Sequence, residues 1–473
     1  MKSLRIRTLM VAVAASIPAL AFGQTQAPAQ VAATATAAEV TPPADTMKTK
    51  VEKKEVSSFF SSAPKVEIQH IRPTDMRGLN VYEPPKEEGV PYTGFKLNWG
   101  AGFTQQFQGL DHQNAAAPKV VSGVDANKLI QIGHGFNNAE ANLYMNAQVA
   151  KGIRVALTSY LSTRHHNETW VKDGYFLIDA SPFDVALLNN VMKYVTLRIG
   201  HFEINYGDAH YRRTDAGNAM FNPLVGNYIM DAFTTEVGAE AYVRKDGFLA
   251  MAGMTGGEVR GQIQKPQQRA PTYLGKLGFD KQLNPDVRVR LTGSLYTTKK
   301  SISNTLYSGD RGGSRYYDVL ENTASTENAQ AWSGAIQPGL SSKVTAYQIN
   351  PFVKVQGFEF FGIAETAKGG NATEVAAGTS RKWNQYAGEA LYRFLADDRV
   401  YVAGRYNTAK GQLLGITNDV SVDRYNVGGG WFITPNVMMK AEWVNQKYND
   451  FPTTDIRSGG KFKGYMIEGV VAF

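Results

Sequence analysis

Charged residues recur at alternate positions along extended stretches of this 473-residue chain. The basic set is Arg154, Arg198, Arg244, Lys276, Arg288, Arg290, Arg393, Arg399, Arg405, Arg424 and Lys440. The acidic set is Glu140, Glu236, Glu240, Asp280, Glu389, Glu442 and Glu468. Groups at every second position of a strand face one side of a sheet. Where that side encloses water, opposed charges set up a field that favours polar solutes, and a basic excess favours anions. The same groups can instead pair with one another and stiffen the wall. Other chemistry is poorly provided for. Cysteine is absent, which excludes disulfides, thiolate metal sites and a cysteine nucleophile. His165-His166, with Glu168 nearby, reads as exposed loop histidines, because one hairpin supplies too few metal ligands. His112, His134 and His210 fall in or beside other long loops. GGEVRG at 256–261 lacks the strand–turn–helix setting of a phosphate-binding loop, and DRGGSR at 310–315 reads as a flexible turn cluster. No catalytic residue, metal ligand or cofactor is assigned, and the chain does not read as an enzyme.

The elements that must position these charges are strands. The last thirteen residues, KFKGYMIEGVVAF, put Tyr465, Ile467, Gly469, Val471 and Phe473 on one side and Gly464, Met466, Glu468, Val470 and Ala472 on the other. An apolar face bracketed by aromatics, opposite a face with a carboxylate, suits a tilted strand in a bilayer. Phe95, Leu97, Trp99, Ala101 and Phe103 alternate with Lys96, Asn98, Gly100, Gly102 and Thr104 in the same way. Mean hydropathy is −0.29 and no apolar run after the leader reaches helix-spanning length, as expected for alternating membrane strands. Trp99, Trp431, Trp443, Tyr465 and Phe473 are candidate rim aromatics.

Residues 1–23 read as a signal peptide. Lys2, Arg5 and Arg7 precede an apolar run, Leu9 to Leu20, and Ala21-Phe22-Gly23 or Ala19-Leu20-Ala21 offers a cleavage site. Setting those three cations aside leaves 47 of the 50 basic residues against 42 acidic ones, about +5, too mild a bias to imply nucleic-acid binding. Residues 24–46 form an Ala/Pro/Thr-rich linker with too little apolar surface to fold. Residues 47–93 are expected to be a periplasmic N-terminal extension. Its part from Pro64 to Pro91 is either a tether or a small plug within the barrel. Residues 94–473 form the barrel domain.

The alternation predicts about sixteen strands: 94–108, 136–150, 152–164, 168–179, 193–205, 232–245, 247–256, 272–283, 285–299, 343–355, 357–368, 383–395, 398–409, 421–433, 435–449 and 461–473. The fourth is blurred, and 180–192 after it holds a short helical turn. Links after even-numbered strands, except the longer one after the fourth, are short and carry turn residues, such as Lys151-Gly152 and Asp397-Asp398; most links after odd-numbered strands are long. That parity predicts an all-β fold, a transmembrane antiparallel β-barrel of about sixteen strands, with short turns in the periplasm. The expected location is the bacterial outer membrane. Sixteen strands are too many for side chains of the wall to fill the interior, so a water-filled lumen is expected.

Leu197 to Leu224 reads LRIGHFEINYGDAHYRRTDAGNAMFNPL. This segment, with the leader, the extension, the sixteen strands and the terminal Phe473, resembles the phosphate-selective porin O/P-like family of outer-membrane porins. The resemblance implies that loop 206–231 folds into the lumen and narrows it, with Arg212 and Arg213 as constriction residues, and that the chain forms a homotrimer. The C-terminal strand, similar to the closing strands of such barrels, implies recognition by the barrel-assembly machinery. This chain departs from the family in interleaving Glu236 and Glu240 with its arginines and in lacking a lysine cluster in the loop. The expected function is passive diffusion of small polar, mildly anionic solutes, in contact with outer-membrane lipid and without nucleic acid. The expected pore-lining or constriction residues are Arg198, Arg212, Arg213, Arg154, Arg244, Arg288, Arg290, Arg393, Arg405, Glu236 and Glu240. A phosphate- or other anion-specific channel and a plugged structural or adhesive barrel are the alternatives.

Overall fold

A computed structural model describes residues 68, 71–83, 86, 92–163, 169–259, 263–308, 316–326 and 333–473. The signal peptide, the linker, most of the N-terminal extension, the pair His165-His166 with Glu168, and 310–315 lie outside the described residues. Sixteen long strands follow one another: β1 (Lys96–Gln113), β2 (Glu140–Ala150), β3 (Ile153–Ser162), β4 (Trp170–Ile178), β5 (Val195–Glu203), β6 (Thr235–Lys245), β7 (Phe248–Thr255), β8 (Thr272–Asn284), β9 (Val287–Thr298), β10 (Lys343–Val355), β11 (Phe358–Gly370), β12 (Arg381–Phe394), β13 (Val400–Gln412), β14 (Asp419–Thr434), β15 (Val437–Asn449) and β16 (Lys461–Ala472). Each pairs antiparallel with its neighbours in sequence. The sheet closes where β1 meets β16, from Gly102 opposite Ala472 to Gln113 opposite Lys461. The lower part of β1 pairs on its other edge with β2, from Lys96 opposite Gln148 to Thr104 opposite Glu140. Closure with such a stagger removes every sheet edge, as a membrane requires.

The alternation is the reason for this architecture. Outward positions are apolar and exposed around the wall, for example Trp99, Leu277, Leu291, Val402, Val427 and Ile467. A charge there near mid-bilayer costs about 2–4 kcal/mol, which confines the ionisable residues of the strands to the inside. The five proposed rim aromatics all point outward. The fold is that of an outer-membrane β-barrel.

The short links are tight. Five of them hold two residues each, at 151–152, 246–247, 285–286, 356–357 and 435–436. Asp246 and Gly247 both take positive φ (52° and 91°), the geometry of a hairpin turn matched to strand twist. The link after β4 is longer and holds helix α1 (Ala186–Met192), within the stretch expected to turn helically. The blur in β4 has a local cause. Its pairing with β3 steps from Thr158–Asp173 to Ser159–Val171, so Lys172 is an extra, bulged residue that shifts the faces by one. The first strand runs five residues past its expected end, because Gly109 to Gln113 keep pairing with β16.

Candidate functional site: a crossed lumen

The inward face of the wall is polar, and chain from three places lies against it. The first is loop 204–234, between β5 and β6. It rests on the near wall where Asn142 donates to the Asp215 carbonyl at 3.0 Å. There Gly217 meets Gly102 of β1 so closely that a Cβ on Gly217 would lie 2.0 Å from the Gly102 oxygen. The loop then reaches strands on the opposite side. The Met230 N–H donates to Gln385 at 2.8 Å and the Ile229 N–H to Asn407 at 2.7 Å. The Val225 N–H donates to Glu442 at 2.8 Å, and the Tyr401 hydroxyl donates to the Pro223 carbonyl at 2.9 Å. Lys440 donates to the carbonyls of Ala219, Asn222 and Leu224 at 2.8–2.9 Å. A loop that starts at β5 and bonds to β12, β13 and β15 traverses the interior of a sixteen-strand cylinder.

The second is segment 71–83, with Lys86 beyond it. The Met76 N–H donates to Pro435, in the β14–β15 turn, at 3.0 Å. Arg288 of β9 donates to the Asn80 carbonyl at 2.9 Å. Lys86 donates to Val195, at the start of β5, at 2.8 Å. The segment thus runs across the end of the barrel that carries the short turns. The third is the long connection between β9 and β10. Its Tyr307 donates to Glu365 at 2.9 Å, and its Tyr316 donates to Glu442 at 2.5 Å. Strand number alone implies a wide aqueous lumen; the described parts of these three stretches bond to the inward face of its wall.

The expected site residues divide by burial. Arg154, Arg212, Arg213, Arg290, Arg393, Arg405, Glu236 and Glu240 are buried. Arg198, Arg244 and Arg288 keep part of their surface. Arg154, Arg198, Arg212, Arg213, Arg288, Arg290, Arg393 and Arg405 each have a carboxylate partner. Arg154 meets Asp179 and Arg212 meets Glu389, both at 2.8 Å, and Arg213 meets Asp231 at 2.6 Å. Arg393 meets Glu359 and Arg405 meets Glu389, each with its Nε donating at 2.8 Å, while Arg198 pairs with Glu240. Arg288 meets Asp280 at 2.8 Å. Glu236 accepts from Tyr296 at 2.7 Å and from Thr255.

One cluster joins all the layers. Arg290 of β9 contacts Asp208 of the loop at 2.8 Å, Asp280 of β8 at 3.0 Å and Glu83 of the segment at 2.7 Å. Lys276 of β8 contacts Asp208 at 2.7 Å and Glu83 at 3.0 Å. Burial by itself raises a carboxyl pKa, but Lys276 and Arg290 hold Glu83 well below the ordinary range, and Arg290 and Lys276 bring Asp208 to about 2. Buried, paired charges of this kind specify one arrangement, since an unpaired one is costly.

Several partners in these pairs were not singled out in the sequence. Glu359 and Asp179 were open to the alternation rule or its immediate edge. Lys172, which pairs with Asp215, was hidden by its bulge. Asp208, Asp231 and Glu83 lie in segments with no periodicity, so nothing local announces where they fold.

No family model matches the chain, and no curated protein matches it. Solved structures do. The outer-membrane protein OmpT of Vibrio cholerae in its trimer form aligns with 80% of this chain and 100% of its own at 10% identity, with a TM-score of 0.45. The anion-selective porin of Comamonas acidovorans aligns with 80% and 100% at 11% identity and a TM-score of 0.46. OprB of Pseudomonas putida aligns with 80% and 94% at 8% identity and a TM-score of 0.46. At such identities the likeness is one of barrel architecture.

Proposed function

We propose that this barrel is a narrow, selective outer-membrane channel for small polar solutes with a lean towards anions, rather than a wide general pore. The observation that carries the reading is loop 204–234, which bonds to β12, β13 and β15 from its origin at β5. A constriction built from protein on both sides, with arginines on the wall and in the loop, selects by size and charge. Arg212 and Arg213 act in this reading as loop residues that shape the constriction, and Arg198, Arg244 and Arg288, which stay partly exposed, as the cations that a solute meets. The phosphate-selective family suggested by Leu197–Leu224, a homotrimer, recognition of the C-terminal strand by the assembly machinery and immersion in outer-membrane lipid belong to the same proposal. A second reading is favoured by segment 71–83: a barrel kept shut at its short-turn end until that segment moves.

The test is a planar bilayer holding the mature protein under a KCl gradient. A small unit conductance with a reversal potential on the chloride side supports the selective channel. A large, unselective conductance overturns it, and no conductance in any state favours the shut barrel.

A further inference from the structure

Between segment 71–83, the root of loop 204–234 and strands β4 to β6 lies a pocket of about 200 Å³. That is room for roughly six or seven waters' share of liquid volume, or for a small organic molecule. Leu177, Thr196 and Arg244 in its lining each sit one residue from the short-turn end of their strands, so the pocket lies close to that end. We propose that it is a binding site for a small organic monocarboxylate with a flat or apolar body.

The charge argument starts from Arg72. Its Nε donates to the Gly78 carbonyl and one Nη to the Tyr211 carbonyl, both at 2.9 Å. It makes no ion pair among the described residues, and its second Nη is buried without a hydrogen-bond partner. Desolvation lowers the pKa of this guanidinium to about 10, and the nearby Tyr211, Tyr82 and Glu203 only partly offset it. The arginines of the cluster around Asp208, by contrast, are matched by carboxylates. The acids of the pocket are themselves engaged. Glu83 is held by Lys276 and Arg290, Glu203 is bonded to His210 at 2.6 Å, and Asp173 accepts the Glu203 N–H at 3.0 Å. Arg72 thus faces the lining with one donor unmet, while each acid there is already bonded to another group.

A second orphan lies in the same lining. Tyr82 is 1% exposed, and its hydroxyl has no partner. Buried hydroxyls and guanidinium N–H groups are normally bonded, and an unmet one costs about 1–3 kcal/mol, more for a charged group. A carboxylate accepts from both. The body of the ligand follows from the rings: Tyr82, Tyr175, Tyr211 and Tyr242 line the pocket with Leu177, and they offer apolar faces that an inorganic anion cannot use.

The experiment is a calorimetric titration of the full-length protein in detergent micelles with benzoate, benzamide and inorganic phosphate. Saturable benzoate binding with none by benzamide is expected. Arg72→Gln is expected to weaken it roughly tenfold or more, the loss of a charge-assisted bond. Tyr82→Phe, which keeps the ring and removes only the hydroxyl, weakens it by a smaller factor and guards against a folding defect in the first variant. Both variants are checked for the heat-dependent gel shift of a folded barrel. Equal binding of benzamide, unchanged binding in both variants, or tighter binding of phosphate than of benzoate overturns the proposal. Titration does not need conduction, so this site and the channel reading fail separately.

Discussion

Loop 204–234 and segment 71–83 both lie across the lumen, but the wall depends on them to different degrees. Taking away the loop deprives Lys172 of Asp215, Lys276 of Asp208, Lys440 of three carbonyls and Glu442 of the Val225 and Gly226 N–H groups. Taking away the segment leaves every buried cation it touches with another partner. Lys276 keeps Asp208, Arg290 keeps Asp208 and Asp280, and Arg212 keeps Glu389. Arg72, one of the segment's two arginines, makes no ion pair among the described residues. A buried charge deprived of its partner is expensive, whereas a charge with a second partner is not. Without the loop Lys276 would still keep Glu83 and Lys440 would keep Glu468, so the two stretches differ in how many wall groups they satisfy: the loop supplies three carbonyls to Lys440 and two N–H groups to Glu442.

The largest effect that would sharpen this contrast is expected at Lys440, which joins Glu468 at 2.8 Å and carries three loop carbonyls. Lys440→Met removes the cation beside a buried carboxylate and should cost about 3–5 kcal/mol. This is read as a lower urea midpoint and a noisier, larger conductance. Adding Glu468→Gln should recover part of the stability. Equal stability of the single variant and the wild type would break the contrast.

Removing residues 71–83 should do the reverse, with a several-fold rise in unit conductance and little change in the urea midpoint. A collapse in stability would put the segment in the same class as the loop.

The smallest effect is a pH dependence. Asp208, with a pKa of about 2 in the folded protein against 3.8 for the free side chain, contributes stability that is present above 3.8 and lost as pH falls through 2. The temperature of the SDS gel shift should therefore drop between about pH 5 and about pH 2, by less in Asp208→Asn than in the wild type. Because Asp208 belongs to the loop, the dependence should survive deletion of 71–83.

What the sequence discloses follows the same division. Strands β6 to β16 lie within a few residues of where alternation puts them, because a membrane wall imposes a period of two and a penalty for every charge facing outward. The sorting of short and long links by parity followed from the same constraint. The inward direction of Arg290 or Glu442 was legible for that reason. Their partners were not. Asp208, Asp231 and Glu83 sit in stretches without a period, and their positions are set by contacts with residues far away in the chain. Only the resemblance at Leu197–Leu224 pointed to an inward loop. Arg72 and Tyr82, in a Pro-punctuated lead-in, carried no signal at all.

The central claim, that loop 204–234 crosses to the far wall, is most directly tested by a cross-link. The chain has no cysteine, so Ile229→Cys with Asn407→Cys introduces the only thiols. Their parents are bonded, the Ile229 N–H to the Asn407 side chain at 2.7 Å. A short thiol-specific cross-linker added to the folded barrel should join the pair efficiently, and neither single variant should show the product. Failure of the pair to link, with both thiols freely modified by a bulky water-soluble maleimide, would contradict the crossed lumen.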